Sequence, residues 1–123
     1  MAAKIFKKKI NLAIYEAVVN IRVVDSMQDM QDYLDKKTKS LVDITDSCGC
    51  VFDLQGVKGL EYYVVYEKDK LTINLISHEV YHLAVRILTN INITDEESTA
   101  WLVGYLTETI YKVLRQKNYN IKV

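Results

Sequence analysis

The sequence predicts an α+β fold, and three observations carry that prediction. Apolar residues alternate at strand period through the first part of the chain, the period switches to that of a helix after residue 73, and a second helical stripe closes the chain. No proline, linker, repeat or low-complexity tract divides the 123 residues. They read as one domain, 1–123, long enough to bury a single core.

From Lys9 to Val24, apolar residues alternate at Ile10, Leu12 and Ile14 and again at Val19, Ile21 and Val23. The register changes near Tyr15–Val18, which predicts a bulged strand or two short ones. Ser26 is placed to cap a helix from Met27 to about Lys37, with Met27, Met30 and Leu34 facing a sheet and Tyr33 beside them. Turn chemistry follows around Asp46-Ser47-Cys48-Gly49 and again at Gly56 and Gly59, with a short strand over Cys50–Leu54 between them. Glu61–Tyr66 and Leu71–Ile73 are β-rich and flank the polar run 67–70, which predicts a hairpin. Ile76, Val80, Leu83, Ala84 and Ile87 then define the buried stripe of a helix, with His78, His82 and Val85 on another face. Thr94 opens a last helix to about Lys117, with Leu102, Leu106, Ile110 and Val113 on one side.

Half of the residues are apolar and 26% are charged, and 16 basic residues balance 16 acidic ones. Such a chain has no long-range field to draw it to nucleic acid or to an anionic membrane. The run Lys7-Lys8-Lys9 reads as a solvated strand entry. Lysines followed by Ile10–Val24 superficially resemble a signal peptide, but Glu16, Asn20 and Arg22 interrupt the apolar run and no small-residue cleavage site follows. No apolar stretch approaches the length of a membrane span. Cys48 and Cys50 are too close in sequence for an unstrained disulfide and too few for a secreted framework, so the expected location is the cytoplasm. A thiolate metal site there has no further ligands nearby in sequence.

Both histidines of the chain fall in one five-residue motif, His78-Glu79-Val80-Tyr81-His82, the pattern HExxH. Residues four apart stack on one side of a helix, so two imidazoles can meet one Zn²⁺. Glu79, one step round the helix, is then placed to hold and deprotonate a water. Tyr81, inside the motif, is expected to pack. The bland reading is a buried helix whose histidines are merely hydrogen-bonded. Two imidazoles at ligand spacing around a glutamate favour the metal.

Catalytic zinc sites usually have three protein ligands. With no third histidine, the remaining ligand is a carboxylate or a thiolate, and Asp95-Glu96-Glu97 begins the next helix. Here the sequence resembles the gluzincin class of zinc peptidases, in which a glutamate on a following helix completes HExxH. It is similar, more closely, to small HExxH proteins of phages and prophages and to compact mobile-element peptidases that cleave phage-type repressors. The resemblance covers about residues 61–111 and includes Glu97-Ser98-Thr99-Ala100 with Gly104 four further on. It implies a zincin-like domain with metal ligands His78, His82 and Glu97, small residues that let the two helices approach, and a host cytosol as the setting. Glu96 is the alternative ligand, and Glu108 a more distant one. Glu97 also fits a capping box with Thr94 at the N-cap, in which its carboxylate bonds backbone instead of metal.

The expected activity is zinc-dependent hydrolysis of a peptide or protein substrate, with Glu79 as general base and later proton donor to the leaving amine. Tyr105 is a candidate oxyanion donor, and Glu61–Tyr66 a candidate edge for an extended substrate. The rival expectation is a zincin-like structural or interaction protein whose metal is not catalytic. Such a site would be closed by four protein ligands, and it would not need Glu79.

Overall fold

The computed structural model describes residues 5–37, 43–45, 47–57 and 59–123. Its order is β1 (Ile5–Leu12), β2 (Ala17–Val24), α1 (Met27–Lys37), β3 (Gly49–Gly56), β4 (Gly59–Glu67), α2 (Ile73–Asn90) and α3 (Glu96–Gln116). The expected α+β class is present as one four-stranded mixed sheet in the order β1-β2-β4-β3. β1 and β3 are the edges, each antiparallel to its neighbour, while β2 and β4 run parallel.

Strand period explains the layering. Val19, Ile21 and Val23 of β2 and Tyr62, Val64 and Tyr66 of β4 point to the face covered by α2 and α3. Val24, Tyr63 and Val65 point to the other face, where Met27, Met30 and Leu34 of α1 pack. β4 is thus apolar on both sides over 62–66, as a strand covered by helices on each face should be, whereas the second face of β2 also buries the polar Asn20 and Arg22. α2 adds Ile76, Val80, Leu83, Ala84 and Ile87, and α3 adds Leu102, Leu106 and Ile110, all buried as their spacing predicts. Leu114 takes the last core position of α3, and Val113 is only partly buried. Among the described residues, no helix is long and apolar enough to cross a membrane.

The register change near Tyr15 is a 3₁₀ turn over Ala13–Tyr15, closed by Glu16 in the left-handed region, that separates two strands rather than bulging one. Lys7, Lys8 and Lys9 lie exposed within β1. At the start of α1, carboxylates satisfy the first amides: Ser26 N–H donates to Asp29 and Met27 N–H to Glu67. The turn expected around Asp46 lies partly outside the described residues, and the short strand after it extends over the whole of β3.

Two expectations are corrected. Leu71–Ile73 is not the second arm of a hairpin. A 3₁₀ turn over Lys68–Lys70 leads to Thr72, whose hydroxyl accepts from Leu75 N–H at 2.9 Å and starts α2. β4 instead forms its hairpin with β3, so Glu61–Tyr66 is a central strand and cannot offer a free edge. The edge strand beside α2 is β3.

Candidate metal centre

The spacing of four on α2 puts both histidine rings on one exposed side of the helix, 4.8 Å apart and edge to face. Their Nε2 atoms face each other at 3.3 Å. Two nitrogens bound to one tetrahedral zinc at about 2.0–2.1 Å would be about 3.3–3.4 Å apart, so the pair fits a shared cation. Donor atoms of His78, Glu79 and His82 all lie within 4.8 Å of one another.

Glu79 turns the other way, into the seam between α2 and the sheet, where it is 5% exposed. Gly49 makes room for it. A Cβ on Gly49 would stand 3.2 Å from Glu79 Cγ and 3.1 Å from the Val65 carbonyl oxygen, closer than ordinary contacts. Glu79 Oε2 is buried with no hydrogen-bond partner among the described residues. An orphaned carboxylate oxygen beside two converging imidazoles is the donor set that a divalent cation and a reacting water call for. Burial pushes the Glu79 carboxyl above its ordinary range, and the imidazoles of His78 and His82 pull it partly back. The same enclosure, with the Glu79 charge, pushes the Cys50 thiol up to about 12 and the Tyr66 phenol further up.

A groove of about 590 Å³ opens between β3 and α2, with Gly49 and Val51 on the strand side and Glu79, His82, Arg86 and Asn90 on the helix side. At its far end Arg86 Nη1 lies 3.3 Å from Asp53 Oδ1, and Asn90 Nδ2 donates to the Tyr62 hydroxyl at 2.9 Å. The first contact ties α2 to β3 and the second ties it to β4. A second cavity, of about 410 Å³, lies on the His78 side and is lined by Cys48, Thr72 and Leu75 as well.

The other expected site residues are placed elsewhere. The cap of α3 is Asp95, whose carboxylate accepts from Ser98 N–H at 2.8 Å, so Thr94 and Glu97 form no capping box. Glu96 and Glu97 are exposed in the first turn, and neither belongs to the His78–Glu79–His82 group. On the helical wheel Glu97, Trp101, Gly104 and Glu108 share the face opposite Leu102, Leu106 and Ile110. A Cβ on Gly104 would meet nothing within 4 Å among the described residues, so Gly104 is not a point of close helix approach. Glu108 pairs with Lys112 at 3.0 Å. Tyr105 is stacked on Trp101, with centroids 5.4 Å apart, and does not line the groove. Tyr81 is 54% exposed with its ring against His82, not packed in the core.

Sequence reasoning missed Gly49, Asp53, Arg86 and Asn90. Gly49 had a local signal, a residue without a side chain at the head of a strand, but nothing in the sequence tells which side chain it admits. Comparison of the chain with family models, curated proteins and solved structures found no match.

Proposed function

We propose that the chain is a minimal zincin-like metallopeptidase, a hydrolase of peptide bonds in a peptide or protein substrate. The observation that carries this reading is the pair of Nε2 atoms 3.3 Å apart beside the orphaned, buried Glu79 oxygen, with Glu79 and His82 bordering an open groove. His78 and His82 would hold the ion, for which imidazole ligands suit zinc. Zinc bound there would supply Lewis acidity, polarising a carbonyl and making water more acidic. Glu79 does the proton work: Oε2 takes a proton from the attacking water and returns it to the departing amine. A carboxyl raised by burial is a better base than an exposed one, which suits that role.

The substrate class follows from the walls. β3 pairs on one side with β4, and its residues border the groove on the side of α2. An extended peptide would add to that edge by main-chain hydrogen bonds and lie across Glu79 and His82. An open groove is also what a catalytic site needs and a closed structural one does not.

The test compares wild type, Glu79→Gln and His82→Ala for zinc content and for cleavage of a mixed peptide library after metal reconstitution. Glu79→Gln should keep zinc and lose about 10²–10⁴-fold in rate, the usual contribution of a general base. His82→Ala should lose the metal itself. Cleavage by Glu79→Gln at the wild-type rate would defeat the proposal.

A further inference from the structure

Two imidazoles do not complete a zinc site, and the carboxylates expected to do so stand on the outer face of α3. The segment that does lie against the motif is Cys48-Gly49-Cys50. Gly49 rests on Glu79, so its two neighbours are carried to either side of the site by the packing that admits that glutamate. The two thiols differ in what they face. Cys50 lies within β3, where it packs with Phe52 and Leu54 against the α1 cluster and also borders the groove beside Glu79 and His82. Cys48 precedes the strand, is exposed, and lines one cavity with His78; its sulfur stands outside the close group of His78, Glu79 and His82, so ligation requires it to move toward the imidazoles. Its carbonyl accepts from Glu67 N–H at 3.0 Å, which anchors the backbone at that point.

We propose that Cys48 is the third protein ligand, giving a Cys48–His78–His82 metal centre with Glu79 beside it. This rests on the metal-binding reading above and replaces Glu97 in it. A thiolate with two imidazoles is a donor set that zinc accepts in catalytic sites, with one position left for water. It is also a softer set than two histidines and a carboxylate, favouring zinc or cobalt over magnesium or calcium. Ligation by Cys48 involves no change of oxidation state: its thiol gives one proton to solvent and the sulfur shares a lone pair with the metal.

The experiment is cobalt substitution of the full chain, stripped of metal and kept reduced, read by absorption. A cobalt–thiolate bond gives an intense near-ultraviolet charge-transfer band, which imidazole and carboxylate ligands do not. The proposal expects this band in wild type, its loss in Cys48→Ser, and its persistence in Cys50→Ser and Glu97→Gln. Cys48 is exposed, so its replacement leaves the core intact, and an unchanged far-ultraviolet spectrum will show that. Cobalt bound in wild type without the band would overturn Cys48 as ligand while leaving the metal site standing. A band lost in Cys50→Ser and kept in Cys48→Ser would overturn it in favour of the other thiol. No uptake of cobalt or zinc by wild type would sink the metallopeptidase reading, and this inference with it.

Discussion

Glu79 is buried against Gly49 of β3, and that burial has a thermodynamic consequence. Its carboxyl titrates above the ordinary value of 4.5, chiefly through burial. A group whose folded-state pKa is raised binds protons more tightly folded than unfolded. The stability it contributes is therefore complete below 4.5 and is lost as pH rises through the folded value. In metal-free protein, Glu79→Gln removes that dependence. The variant should match wild type at low pH and exceed it at pH 8, by on the order of 1 kcal/mol, the scale of one unpaired buried polar group. Urea midpoints of the two proteins across that range check this, and equal midpoints throughout would mean that Glu79 is solvated. Gly49→Ala probes the same contact from the strand. The added methyl needs a few tenths of an ångström from the Val65 carbonyl or Glu79 Cγ. The expected result is destabilisation of about 1–3 kcal/mol with peptidase activity lost in protein that still folds. Activity retained in a folded Gly49→Ala variant would show that Glu79 does not need its present seat.

Elements were legible wherever one period governs a stretch. The stripe Ile76, Val80, Leu83, Ala84 and Ile87 and that of Leu102, Leu106 and Ile110 are buried because a 3.6-residue period admits only one face to the core. The sequence misled where β propensity and capping compete. Leu71-Thr72-Ile73 has strand composition, but the Thr72 hydroxyl caps Leu75 N–H, and that local bond decides the element. The start of α3 offered two adjacent caps, Thr94 and Asp95, and spacing to Glu97 favoured the wrong one. The carboxylate of Asp95 reaches both the amide and the hydroxyl of Ser98, at 2.8 and 2.9 Å. Asp95→Ala should therefore cost about 1 kcal/mol, while Thr94→Ala should stay within about 0.5 kcal/mol. Thermal melts of the two variants separate these caps. A larger loss for Thr94→Ala would restore the capping box.

At the scale of the molecule, the histidine pair is a local fact of α2, which is why five residues of sequence were enough to find it. The rest of the site is tertiary. Gly49 meets Glu79, and Asp53 meets Arg86, only because β3 pairs with β4 and α2 lies across that edge. No local period records which edge strand a helix covers, whereas the face carrying Glu97 lies opposite the stripe of Leu102, Leu106 and Ile110 that the helical period already marks. A metal bound by α2 and by the segment ahead of β3 would thus join two elements that meet only in the folded chain. Binding of that kind stabilises the fold by mass action, by about 2.7 kcal/mol at a free ion concentration one hundred times Kd. For a domain of this size that is a rise of roughly 10 °C in Tm. The rise should grow with the logarithm of zinc concentration in wild type, vanish in His82→Ala, and shrink in Cys48→Ser as the joint between strand and helix is lost. A midpoint that ignores zinc in wild type would mean that the two imidazoles converge without a cation to hold. An equal rise in wild type and His82→Ala would place the zinc on other residues.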